Sequence, residues 1–224
     1  MVRAARAGDL DAQYQCAIID FHHDAAPSDF EQGKQWLAES ANNGWAPSEF
    51  LLFQLYYNGY PPVPGCPNYP VDKTEGLKWL HRAADHGFLQ AQSVLAIMLI
   101  QGIDMEQNTS EAAKLLSNAA QRGYAQAQND LGFAILHGDL GINDTVQAAM
   151  WLELAKSNWP DSRTVRRVDV NLSNALAQLT PEQQQEVAQR VKDFQPLPLP
   201  NLDPLVKDWD KNPNYQMEDG QQWH

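Results

Sequence analysis

The chain has 224 residues, 43% of them hydrophobic and 20% charged, and its 16 Lys and Arg against 28 Asp and Glu leave a formal net charge of −12. That balance opposes binding to nucleic acid or to an anionic membrane, both of which need clustered basic side chains, and it suits a basic or neutral protein partner better. No run reaches the roughly 18 apolar residues of a membrane span, the opening MVRAARAGDL carries no apolar signal core, and two cysteines make no disulfide framework.

The chain opens inside a repeat. The phrase AARAGDLDAQ at 4–13 returns as SANNGWAPSE at 40–49, AADHGFLQAQ at 83–92 and AAQRGYAQAQ at 119–128. Its glycines, Gly8, Gly44, Gly87 and Gly123, are 36, 43 and 36 residues apart, and self-similarity at a fixed period of this length marks an array of stacked helix pairs. Each unit reads as a helix A, a turn, a helix B and a glycine turn into the next helix A. In the first helix A, Cys16 falls where later copies have Leu95 and Leu131, so it reads as a small buried apolar residue.

Helix B carries Trp36, Trp79, Leu115 and Trp151 at matching positions, an aromatic series that reads as core. The four repeat glycines follow its last turn, where a left-handed C-cap needs no Cβ. Asp72, Thr109 or Ser110, and Asp144 precede helix B segments as N-caps. In helix A, Ala91, Leu95, Ala96 and Leu99 share one face. The small residues Ala17, Ala96 and Gly132 occupy one register suited to close helix packing, whereas Phe53 at that place predicts a splayed or repacked second pair.

The second unit is longer by the segment GYPPVPGCPNYPVD at 59–72, whose five prolines exclude helix and make it a projecting loop and candidate contact site, with Tyr60 and Tyr69 at its surface. Past residue 160 the period fails. A helix is predicted over 162–178, with Arg163, Arg166 and Arg167 on a solvated or capping face, and Thr180-Pro181-Glu182-Gln183 opens a polar helix running to about Phe194. The reading divides the chain into a solenoid over 1–160, two capping helices over 161–195 and a Pro-rich acidic tail over 196–224, extended or strapped onto the solenoid.

The combined pattern resembles the Sel1-like repeat: A-x-x-G-x-x-x-A-Q, a glycine after helix A (Gly59, Gly102, Gly138) and K-x-x-W-L or A-x-x-W-L in helix B. Three full units and the start of a fourth pair cover roughly residues 4–158. Asp20 and His23 replace the family's usual aromatic and glycine, which predicts an irregular first pair. The resemblance implies an all-α protein, an α/α superhelical solenoid close to tetratricopeptide arrays, with A helices lining a concave surface that holds other proteins. Combined with the core register above, it assigns to that groove Ile18, Phe21 and His22; Gln54, Tyr57 and Asn58; Ile97, Ile100 and Gln101; and Phe133, Leu136 and His137.

The six histidines include no i, i+4 pair with ligand-type neighbours, and no phosphate loop or nucleophile elbow occurs. The sequence therefore predicts no catalytic residue, cofactor or metal, and no membrane insertion. Some bacterial proteins of the resembled family are immunity partners of type VI secretion effectors, notably phospholipases, and a small chain without a catalytic constellation looks like such an inhibitor; a signalling or envelope-assembly adaptor is the alternative. Relatives described as binding or hydrolysing β-lactams carry a cysteine pair in each repeat, whereas Cys16 and Cys66 are the only two here. The expectation is a soluble protein, periplasmic if a signal or lipoprotein segment was removed and cytoplasmic otherwise.

Overall fold

A computed structural model describes residues 1–20, 27–59, 71–158 and 162–199. The described residues form helices throughout: α1 (Val2–Arg6), α2 (Leu10–Asp20), α3 (Pro27–Asn42), α4 (Ala46–Asn58), α5 (Lys73–Asp85), α6 (Leu89–Gln101), α7 (Thr109–Gln121), α8 (Ala125–His137), α9 (Thr145–Asn158), α10 (Ser162–Leu176) and α11 (Pro181–Asp193). The A helices are α2, α4, α6 and α8, and each packs most extensively on the B helix that follows it. The chain is thus a row of helix pairs, and each pair rests on its neighbours.

Local chemistry places the helix ends. Gly8, Gly44, Gly87 and Gly123 have φ of +89°, +85°, +84° and +85°, a left-handed conformation that a side chain resists. The Asp72 carboxylate accepts from the Glu75 N–H at 3.0 Å and the Asp144 carboxylate from the Gln147 N–H at 2.8 Å. The α7 cap is Asn108, one residue before the expected Thr109 or Ser110; its side chain accepts from the Glu111 N–H at 3.1 Å. Thr180 and Gln183 form the reciprocal capping box of α11.

A buried polar strut repeats at every junction. The Gln13, Gln92 and Gln128 amides donate to the carbonyls of Ala5, Ala84 and Ala120 at 3.2, 3.0 and 3.1 Å. Each acceptor is the penultimate residue of the preceding helix, whose last carbonyls have no partner within the helix. The Gln92 and Gln128 oxygens in turn accept from Asn118 and Asn158 at 2.7 and 3.0 Å. In the second unit the residue is Glu49, fully buried, which cannot donate. Arg82 compensates: its guanidinium donates to the Ala41 carbonyl at 3.1 Å and pairs with Glu49 at 2.9 Å, while His86 Nδ1 lies 2.7 Å from the other carboxylate oxygen. One Glu and Arg pair thus does the work of a Gln and Asn pair.

The packing corrects one expectation and decides another between its alternatives. The fully buried column of helix B is Leu37, Leu80, Leu116 and Leu152, each one residue after the aromatic series; Trp36, Trp79 and Leu115 are half-buried and only Trp151 is buried. Trp79 lies where two core clusters meet, with Arg82 over its ring at 4.4 Å. The second helix pair is repacked and not splayed. Phe53 is accommodated because Gly76 faces it from α5; a Cβ there would lie 3.0 Å from the Tyr57 nitrogen and 3.3 Å from the Phe53 carbonyl oxygen. Small and large residues have exchanged helices relative to the fourth pair, where Gly132 of α8 faces Ala148 and Leu152 of α9.

The far end is closed. Val168, Leu172 and Ala175 of α10 and Val187 of α11 pack with Val146, Ala149, Leu152 and Ala155 of α9. Beyond α11, Phe194 meets the Trp151 ring edge-on at 5.6 Å, and the Leu197 N–H donates to the Gln121 carbonyl at 2.8 Å. Arg122 donates to the Pro198 carbonyl, and Pro196 lies over Gly123. Residues 194–199 are a strap across the C-terminal end of α7.

Candidate functional site

One pair of successive A helices, α6 and α8, packs together, and no two successive B helices approach as closely. At this pair the A helices lie on the inner side of the array. With 100° per residue, the buried residues of α6 (Ala91, Gln92, Leu95, Ala96 and Leu99) occupy one face, and Ser93 and Met98 its flanks. The opposite face, free to point into the groove, holds Gln90, Val94, Ile97 and Gln101.

The predicted groove residues divide accordingly. Ile18, Gln54 and Ile97 are half-buried and Phe133 is 40% exposed, one equivalent place in each A helix. Asn58, Gln101 and His137 are exposed, and His137 stacks on Phe133 at 4.0 Å with its Nδ1 2.9 Å from the Phe133 carbonyl. Tyr57 is not a groove residue. It is 7% exposed and packed in the main core, its ring 5.3 Å from that of Phe53. Its hydroxyl donates to Asp104, and Lys73 caps the assembly, 2.8 Å from Asp104 and 5.0 Å from the Tyr57 ring centre. Burial first, then Asp104, pushes the Tyr57 phenol above its ordinary range. Ile100 and Leu136, at the same register, lean on the core as well. The reason is angular: this column lies about 60° from the groove-facing one, on the flank that adjacent elements cover. Phe21, His22, Tyr60 and Tyr69 lie outside the described residues; the Asp72 N–H donates to the Tyr56 carbonyl at 2.8 Å.

The sequence reading missed the column one turn earlier: Gln15, Leu51, Val94 and Asp130, all half-buried. The 3.6-residue period that placed Ile97 also places Val94, three residues before it. Asp130 stands out among them. Its carboxylate accepts from Ser93 Oγ of α6 at 3.0 Å, Gln126 Nε2 at 2.7 Å and Asn129 Nδ2 at 3.1 Å. Burial nonetheless raises its pKa above the usual carboxylate range, against the lowering pull of those donors and of Arg167. On α10, Arg167 and Val170 follow Asp130 and Phe133 by 37 residues each, and both are exposed. The inner face thus continues onto α10, which touches α8.

Among the described residues no group of His, Cys, Asp or Glu is arranged to hold a metal, and no helix is long and apolar enough to cross a membrane. The buried Glu49 serves the helix junction. What the inner face offers is shape, apolar area and hydrogen-bonding groups.

The Sel1 repeat matches four consecutive segments, 10–45, 46–88, 89–124 and 125–158. The chain belongs to the Sel1 repeat family. Each segment is one A and B pair, so the Sel1 units number four complete pairs, where the phrase-based count gave three and the start of a fourth. Two solved structures share this Sel1 fold. One is a protective antigen present in uropathogenic Escherichia coli strains and displaying an SLR fold: TM-score 0.67, 23% identity, 98% of this chain and 44% of that one. The other is a Sel1 repeat protein from Oxalobacter formigenes: TM-score 0.56, 20% identity, 85% of this chain and 53% of that one. This chain therefore spans about half the length of either. Among curated proteins none matches. Sel1 repeat proteins are generally protein-interaction modules and typically non-enzymatic scaffolds.

Proposed function

We propose that this protein is a non-enzymatic binding module that holds one protein partner on the concave face of α2, α4, α6 and α8. The observation that carries this reading is Phe133, 40% exposed on an otherwise well-packed array, with half-buried Ile97 at the equivalent place on α6 and exposed Val170 on α10. An apolar strip rimmed by polar groups is the usual signature of a docking surface. Ile97→Glu with Phe133→Glu is expected to leave the helical content and melting temperature near those of the wild type and to abolish capture of the partner from a lysate of the source bacterium. Unfolding of that variant would place both residues in the core and refute the assignment.

The partner in this reading is a secreted toxic effector, of the phospholipase type, that the protein neutralises. A chain of helix pairs that carries no catalytic constellation and a charge of −12 suits an inhibitor of a basic effector surface, with association speeded by attraction. The test is co-expression of the captured partner: its toxicity is suppressed by this chain and not by the double variant. Capture of envelope or signalling proteins instead makes the protein an adaptor.

A further inference from the structure

The inner face between α6 and α8 holds a polar cluster that is short of donors. Asp130 has three neutral donors, from Ser93, Gln126 and Asn129, and among the described residues no cation pairs with it; Arg167 acts on it through space only. Asn129 is 4% exposed, gives its N–H to Asp130, and leaves its own carbonyl oxygen without a partner. Buried acceptors without donors are costly, and a desolvated carboxylate without a cation more so. One helical turn along lies exposed Phe133, with Ile97 at the equivalent place on α6. The cluster thus has an acceptor to spare and a carboxylate without a cation, and is bordered by apolar surface, in a molecule whose net charge is −12.

We infer that this place receives a Lys or Arg side chain of the partner protein, its cationic head on the Asp130 carboxylate and an adjacent apolar side chain on Phe133 and Ile97. A cation supplies several N–H donors at once and forms a charge-assisted bond with the carboxylate, while its methylene stem lies along the aromatic ring. The inference rests on the groove reading above and names what the groove selects: a segment in which a basic residue stands beside an apolar one.

The probe is a phage-displayed library of random peptides, selected on the full chain and counter-screened on Asp130→Asn and on Ile97→Glu with Phe133→Glu. Selected peptides are expected to pair a Lys or Arg with an aliphatic or aromatic residue. Replacing that Lys or Arg by Gln should weaken binding to the wild type roughly ten-fold or more, and binding to Asp130→Asn hardly at all, since the two changes remove the same contact. Peptides that need Phe133 but no basic residue overturn this inference and leave the groove standing, as do acidic peptides lost with Arg167→Ala. Peptides indifferent to the Ile97 and Phe133 changes, or the selection of none, overturn the groove reading with it.

Discussion

Asp130 carries opposing demands. Its carboxylate is held partly buried, and burial raises its pKa, so in the free protein the ionised form is less comfortable than in the unfolded chain. A group whose folded pKa is raised gives up stability as pH climbs through the usual carboxylate range and beyond, and recovers it on acidification. Asp130→Asn is therefore expected to melt higher than the wild type at neutral pH, with the difference closing below about pH 3, where both side chains are neutral; calorimetry across pH measures it. The same variant should bind the partner more weakly. Stability set aside at one residue for a contact is a common signature of a functional site.

Glu49 presents the contrasting case, a buried carboxylate with partners supplied. Arg82→Asn leaves it only His86 and is expected to cost about 3 kcal/mol in chemical denaturation. Adding Glu49→Gln installs the pair that Gln92 and Asn118 form one unit later and should recover most of that loss. Additive effects in this cycle would mean that the two side chains do not substitute for the amide strut.

Between helices, register decides the outcome. A Cβ at Gly132 would sit 2.8 Å from Leu152 Cγ and 2.9 Å from the Ala148 carbonyl oxygen. Gly132→Ala should thus destabilise the array by about 1–3 kcal/mol, although the same change on an exposed helix gains about 1 kcal/mol. The α11 strap is a second test: Phe194→Ala removes the edge contact with Trp151 and is expected to cost about 1–2 kcal/mol and to speed amide exchange at the end of α7, where Leu197 holds the Gln121 carbonyl. The helix pairs were legible because glycine, AQ and W-L recur in phase. The groove was legible only in part, because three columns were assigned to a face that the flanking elements narrow: Tyr57 turned inward onto Gly76, and Asp130 carries no repeat signal, since the same place in the other A helices holds Gln15, Leu51 and Val94. The strap was only one of two readings of the tail, since PLPLP has no periodicity from which a docking place can be read.

The molecule as a whole is a row of four pairs closed by α10 and α11, each stabilised by its neighbours. Its inner face keeps Ile97, Phe133 and Val170 available beside Asp130 and Arg167. That distribution is what the binding assignment rests on, and hydrogen–deuterium exchange of the chain with and without its captured partner tests it most directly. Slowed exchange concentrated in α6, α8 and α10, absent for Ile97→Glu with Phe133→Glu, is the predicted result. Protection confined to α5, α7 and α9 would put the partner on the outer surface and contradict the account.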